Sequence, residues 1–269
     1  RRPQHGHRPN PGGPYPGGSR ALRDRGTASV HSPGMTRTAI ILAGGLGTRL
    51  RSVVPDLPKP MADIGGRPFL SFLLDQLVNA GITDIVLAVG YRHDVIADHF
   101  GARYRDAGLR YSIESRPLGT GGAVNLALQQ VPADPFLLVN GDSYFALDLP
   151  GLLRSHQEHA PDLTLALKAM PDTSRYGRVA LDDSLRVIGF HEKAGGQAGT
   201  INAGYYVISR HALPAADPET RYSLETYLAE HVKRLVIRGY PSEAPFIDIG
   251  IPKDYARLRQ APGMLESDR

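Results

Sequence analysis

Four short strand-like segments, at residues 39–43 (a continuous apolar run), 84–89, 110–114 and 136–139, alternate with stretches of helical spacing, and no other feature constrains the fold as strongly. Short continuous apolar runs suit strands buried on both faces of a sheet. Between the first two, Phe69, Leu70, Phe72, Leu73, Leu74, Leu77 and Val78 recur at helical spacing, and Gly81 ends that helix. Residues 93–100 and 121–130 read as two further helices. A β-α-β-α-β-α-β order implies an α/β, Rossmann-like fold with a mostly parallel sheet flanked by helices. The second half reads differently. Strands are predicted at 163–169, 178–181, 186–191 and 203–208 with few helices between them. A helix at 223–233, strands at 235–238 and 246–249, and a last helix at 252–260 with Pro252 in its first turn complete the pattern.

Residues 1–34 are rich in Arg, Pro and Gly and nearly free of aliphatic side chains. Such a stretch buries too little apolar surface to offset the entropy of ordering. Two readings stay open: a disordered arm, or a non-native extension with the true start at Met35, and the second is preferred. His5, His7 and His31 in this stretch are read as solvated. The extension also explains the overall charge of +4: it holds six Arg and one Asp, and the remaining 25 basic and 26 acidic residues nearly cancel. A near-neutral body argues against a nucleic-acid partner. The chain has no Cys, which excludes disulfides and thiolate metal sites and fits a cytoplasmic location. No apolar run approaches the roughly 20 residues that cross a bilayer, so no membrane association is expected. The domain is expected over residues 35–262, with a nucleotide-binding part at 35–150, a strand-rich sugar-phosphate part at 151–262, and a tail at 263–269. Their shared cleft is the expected active site.

The first strand runs into Leu42-Ala43-Gly44-Gly45-Leu46-Gly47-Thr48-Arg49-Leu50. Adjacent glycines there let backbone N–H groups approach an anion, although a tight strand–helix turn needs glycines equally. The loop is not a Walker A motif, because Gly-Lys-Ser/Thr is missing. It also fails the dinucleotide fingerprint, whose third glycine position holds Leu50. Further on, Pro58-Lys59-Pro60 fixes a cation in a stiff backbone. Alone, this would be an ordinary surface Lys.

Taken in order, these pieces resemble the signature of the sugar-phosphate nucleotidyltransferases. The likeness continues through Pro117-Leu118-Gly119-Thr120-Gly121-Gly122-Ala123, Asn140-Gly141-Asp142, Tyr176-Gly177, Glu192-Lys193, Asn202-Ala203-Gly204 and Asp248-Ile249-Gly250, covering about residues 38–258. Within that family the run from Leu50 through Val53-Val54-Pro55 to Lys59-Pro60-Met61 is similar to the D-glycero-α-D-manno-heptose 1-phosphate guanylyltransferases. The resemblance implies the nucleotidyltransferase (GT-A-like) fold and transfer of a nucleotidyl group from GTP to a sugar 1-phosphate, releasing pyrophosphate. It implies Mg2+ as cofactor, held by Asp142 and Asp248, and catalytic roles for Arg49, Lys59 and Asp142. The nucleotide would be held by Leu42, Ala43, Gly44, Gly45, Gly47, Thr48, Glu114, Pro117, Gly119 and Thr120. The sugar phosphate would be held by Gly177, Glu192, Lys193, Asn202 and Gly204. Negative charge crowds together in such a transfer, so positioning and neutralisation should dominate catalysis. Gly121, Gly122, Ala203 and Ile251 depart from the broad family pattern, which puts sugar contacts known from hexose enzymes in doubt here.

Glu114 is the expected base reader. Guanine offers two adjacent donors, N1–H and the N2 amino group, and a carboxylate accepts both. Arg116 is the alternative reader, and pairing with Arg110 is the alternative role for Glu114. Other functions remain. A mannose or glucose 1-phosphate nucleotidyltransferase using another triphosphate fits the same motifs. A catalytically silent regulatory homologue should have lost Arg49, Lys59, Asp142 or Asp248, and all four are present. A nicotinamide oxidoreductase lacks its fingerprint, and a glycosyltransferase lacks an Asp-x-Asp pair. The sequence leaves a homo-oligomer open.

Overall fold

The computed structural model describes residues 36–45, 47, 50, 53–191 and 196–265. In chain order the first half holds β1 (Thr38–Leu42), β2 (Asp63–Ile64), β3 (Arg67–Pro68), α1 (Phe69–Asn79), β4 (Asp84–Val89), α2 (His93–Phe100), β5 (Arg103–Tyr104), β6 (Ala107–Ile113), α3 (Gly119–Ala127), β7 (Phe136–Asn140) and β8 (Ser143–Phe145). The second half holds α4 (Leu149–His159), β9 (Leu163–Met170), β10 (Arg178–Leu181), β11 (Val187–His191), β12 (Gly199–Ile208), α5 (Leu224–His231), β13 (Ile237–Pro241), β14 (Phe246–Asp248) and α6 (Pro252–Gln260).

β6, β4, β1 and β7 lie side by side and parallel, with Ala39 opposite both Ile85 and Leu137. This is the expected parallel core. Its alternate residues enter opposite layers. Ala39 and Ile41 pack with α1, α2, α4 and α6, whereas Ile40 packs with α3 and α5. Burial on both faces is why the run is apolar throughout. Each Ile in such a run, removed from water, contributes about 1.5–3 kcal/mol.

The strand-rich half joins the same sheet. β12 runs antiparallel to β7, with Tyr205 opposite Val139, and on its other side to β9. Its first turn of residues also touches β10, through Ile201 opposite Arg178. The strand expected at 203–208 thus begins earlier, at Gly199. Between Asn202 and Tyr206 its register against β9 slips. Gly204 adopts φ +80° there, a left-handed conformation that suits glycine. The helix expected at 121–130 starts at Gly119 and ends in a 3-10 turn at Leu128–Gln130. No helix was expected at Leu149–His159. Pro150 and Gly151 look like turn residues, but Pro150 falls in the first turn, where its missing N–H leaves nothing unpaired. The Asp148 side chain caps the helix by accepting from Gly151 N–H at 2.9 Å.

His156, on α4, is buried and its Nδ1 lies 2.9 Å from the Thr164 hydroxyl. Burial lowers its pKa from 6.5 to about 4, against a smaller opposing pull from Asp134. The folded protein therefore refuses a proton that the unfolded chain accepts below its ordinary value. His156 contributes stability fully above about pH 6.5, and this is lost as pH falls toward about 4. Urea midpoints measured at pH 7.5 and pH 5 should fall for the unaltered protein, and fall less for His156→Gln. Equal falls would show that His156 is not the group responsible. Among the described residues, no helix is long and apolar enough to cross a membrane.

Candidate active site

The parallel strands end on one edge of the sheet, and the residues following β1, β6 and β7 meet there. β1 gives way to Ala43, whose N–H donates to the Ala88 carbonyl at 2.8 Å. Beyond β7, Gly141 N–H donates to the Leu42 carbonyl at 2.9 Å, drawing the two strand ends together. Leu42, Ala43, Gly44, Gly45, Lys59, Glu114, Pro117, Gly119 and Thr120 line one cavity of about 300 Å3. Asn140, Gly141 and Asp142 also line it. All these residues except Asn140 and Gly141 were candidates from the sequence. Gly47 (φ +58°) turns the loop beside it, its carbonyl accepting Leu50 N–H at 2.9 Å. Thr48, Arg49, Glu192 and Lys193 lie outside the described residues.

Glu114 is seated low in this wall. Its Oε2 accepts from Leu118 N–H at 3.0 Å, and a Cβ placed on Gly44 would lie 2.7 Å from its Oε1. Burial pushes its carboxyl above the ordinary range, and the Leu118 N–H pulls it partly back. Arg110 does not pair with it: the Arg110 guanidinium makes two 2.6 Å contacts with Asp84 instead. Arg116 is turned to the surface, 3.4 Å from Glu219. Thr120 donates its hydroxyl proton to Glu225 at 2.6 Å and accepts from Leu224 N–H at 2.9 Å. It has no proton left for a ligand and can only accept from one.

Lys59 sits at the start of a 3-10 turn between its two prolines. Its side chain is 11% exposed and its Nζ lies 2.7 Å from Asp142 Oδ2. Asp142 itself is in the turn between β7 and β8, just past the strand end rather than on it. Asp248 arrives from far along the chain because β14 pairs with β8, placing it opposite Ser143, the neighbour of Asp142. Ile249 N–H donates to the Asp142 carbonyl at 3.0 Å, which locks the two segments in register. Asp248 Oδ1 accepts Gly250 N–H at 2.5 Å, and Oδ2 accepts Arg175 at 3.0 Å and the Tyr176 hydroxyl at 3.2 Å. Burial first, and then the charge of Asp142, push the Asp248 carboxyl up; the Gly250 N–H, Lys59 and Arg175 oppose them.

A buried carboxylate, Asp248, with the charge of Asp142 close enough to push it up, is a fitting start for a hard divalent cation. Among the described residues no group of three or more His, Cys, Asp or Glu is placed to hold a metal. Among the described residues the protein ligands would be Asp142 and Asp248. That matches Mg2+, which commonly binds one or two carboxylates and takes its other oxygens from water and substrate phosphates.

A larger cavity of about 840 Å3 opens on the other side of Asp142. Gly177, Asn202, Gly204 and Asp248 line it, as do Asn140 and Asp142 again. The bulge in β12 shapes its floor. Asn202 Oδ1 accepts Gly204 N–H at 2.9 Å and its Nδ2 donates to the Tyr206 hydroxyl at 2.7 Å. A Cβ on Gly204 would come 2.7 Å from the Asn140 amide, so the two Asn-containing motifs interlock. Asn140 Oδ1 is buried without a hydrogen-bond partner among the described residues. Sequence reasoning assigned no role to Asn140, Arg175 or Tyr176, although Asn140 and Tyr176 stand in motifs it singled out. Glu225 carried no motif signal at all.

The nucleotidyl transferase family matches residues 38–261. The chain is 43% identical over 223 residues to a D-glycero-α-D-manno-heptose 1-phosphate guanylyltransferase of Aneurinibacillus thermoaerophilus, spanning 82% of this chain and 96% of that one. It is 42% identical over 217 residues to the enzyme of the same name from Campylobacter jejuni, spanning 81% and 96%. The fold is similar to the crystal structure of HddC from Yersinia pseudotuberculosis complexed with GMP-PN. The TM-score is 0.73, the identity 35%, and the match covers 83% of this chain and 98% of that one.

Proposed function

We propose, given that this chain belongs to the nucleotidyl transferase family, that it joins GTP to D-glycero-α-D-manno-heptose 1-phosphate, releasing pyrophosphate and GDP-heptose. The observation that carries the reaction is the shared wall. Asn140 and Asp142 line both cavities, so ligands filling the two meet at that point. The smaller cavity takes the triphosphate and the larger takes the sugar phosphate. Residues of the proposed nucleotide part (35–150) line the smaller cavity, and residues of the proposed sugar-phosphate part (151–262) line most of the larger, with Asn140, Asp142 and Ser143. The two guanylyltransferase relatives and the structure of HddC with GMP-PN support guanine and heptose.

In this reading a phosphate oxygen of the sugar attacks the α-phosphorus in line. The new P–O bond forms as the bond to the β-phosphate oxygen breaks, and the electron pair leaves with pyrophosphate. Lys59 neutralises charge at the reacting phosphates, with Arg49 as its partner from the glycine loop. The backbone N–H groups of Gly44, Gly45 and Gly47 face the triphosphate. Asp142 and Asp248 would hold Mg2+, which when bound draws charge from the phosphate oxygens. Lys193 grips the sugar phosphate beside Glu192, and Gly177, Asn202 and Gly204 receive the ring. The unpartnered Asn140 Oδ1 gains an acceptor's role toward a substrate donor. Such an orphan otherwise costs about 1–3 kcal/mol.

Glu114 reads guanine. Its Oε2 keeps a second lone pair beside the Leu118 N–H, and Oε1 accepts no hydrogen bond among the described residues. Adenine presents an acceptor at N1 and is repelled, and uracil offers a single donor between two acceptors. Glu114→Gln should lower kcat/KM for GTP about tenfold or more, about 1.4 kcal/mol, and change ATP and UTP far less. An unchanged preference in steady-state assays would leave Glu114 with only its structural contact to Leu118.

A further inference from the structure

We infer that Glu225 determines specificity for the sugar 1-phosphate, and that Thr120 of the nucleotide cavity holds it in position. The inference rests on the sugar-phosphate reading of the larger cavity given above.

Glu225 lies in the first turn of α5 and lines the larger cavity, not the smaller. Its Oε2 accepts two hydroxyl protons, from Thr120 at 2.6 Å and from Ser223 at 2.8 Å. Its Oε1 has no partner among the described residues, and no Lys or Arg among them pairs with the carboxylate. Ser223 also caps α5, accepting Thr226 N–H at 3.2 Å. Helix capping therefore accounts for Oε2 and leaves Oε1 without a role. A half-buried carboxylate held by neutral donors, with one oxygen unused in a polar cavity, suits a polyol. Each carboxylate oxygen accepts from hydroxyls, and the charge strengthens those bonds. Tyr206 reports how near Glu225 stands to the rest of the sugar wall. Its buried phenol is pushed up by burial first and then by the Glu225 charge, and its hydroxyl accepts from Asn202.

The orientation of Glu225 is set from the nucleotide side. Gly121 N–H donates to the Tyr222 carbonyl at 3.1 Å, and Tyr222 N–H to the Leu118 carbonyl at 3.0 Å. The Tyr222 hydroxyl reaches Asn125 at 3.0 Å. A side chain on Gly122 would come 2.5 Å from the Thr220 carbonyl. The first turn of α3 is thus clamped to the segment entering α5, and Thr120 is the contact that reaches Glu225. One wall of the nucleotide cavity positions one reader of the sugar.

The test is steady-state kinetics of Glu225→Gln, Thr120→Val and Thr120→Ser, with thermal unfolding of each. It uses whichever sugar 1-phosphate the unaltered protein turns over fastest, so a wrong choice of sugar does not decide the result. Glu225→Gln should raise KM for that sugar phosphate at least about tenfold, leave KM for the triphosphate within about twofold, and narrow the preference among sugar 1-phosphates. Thr120→Val should raise the sugar-phosphate KM in the same direction, and Thr120→Ser, which keeps the hydroxyl, should restore it. The inference is overturned if Glu225→Gln keeps the sugar-phosphate KM and preference while melting lower, which marks a helix cap. It is equally overturned if the triphosphate KM rises instead.

Discussion

Replacing either Asp142 or Asp248 by Asn should eliminate cation-dependent turnover, lowering kcat by at least about three orders of magnitude. The amide preserves the shape of each side chain and discards the charge that a hard cation requires. The two positions are not equivalent in their surroundings. Asp248 is enclosed by Gly250, Arg175 and Tyr176, whereas Asp142 faces both cavities and pairs, among the described charged residues, with Lys59. Asp248→Asn keeps an acceptor for Gly250 N–H but leaves Arg175 with Asp254 as its remaining carboxylate. Turnover should be followed against divalent-cation concentration, with binding of the cation itself measured in parallel. Either variant working normally at low cation concentration would make that carboxylate structural.

Lys59→Ala is expected to lower kcat about a hundredfold, the scale of losing one preorganised donor at a developing charge. The prolines and the 3-10 turn hold the Lys59 backbone, and its ammonium points at Asp142 on the cavity wall. The change removes positive charge where two carboxylates and two phosphorylated substrates converge. Asp142 is 39% exposed, so losing its partner costs stability little. Thermal unfolding should therefore move by no more than a few degrees while kcat collapses. Wild-type kcat in Lys59→Ala would remove this residue from the chemistry.

Much of the scaffold is readable in the residues because double-sided burial demands uninterrupted apolar strands. Asp84–Val89 and His93–Phe100 stand where periodicity places them. α4 is not readable in the same way, since Pro150 and Gly151 have opposite meanings in a turn and in a first helical turn. β8 is three residues long, and pairing with β14 rather than apolar content defines it. That pairing is also why the approach of Asp248 to Asp142 came from family resemblance and not from spacing. Glu225 was silent for a different reason: its significance depends on Thr120, 105 residues earlier. The glycines of the Pro117–Ala123 motif suggest ligand approach, yet Gly122 packs against the Thr220 carbonyl. Close backbone packing and close ligand approach leave the same mark in a sequence.

The most direct measurement of the central claim is pyrophosphate release from a panel pairing GTP, ATP and UTP with D-glycero-α-D-manno-heptose, mannose and glucose 1-phosphates, with and without Mg2+. GTP with the heptose 1-phosphate should give the highest kcat/KM, by at least about tenfold over any other pair, and only with the cation present. Preference for a hexose 1-phosphate or another triphosphate would contradict the assignment of substrate, and release from no pair would contradict the assignment of an enzyme, leaving a nucleotide-sugar-binding regulator.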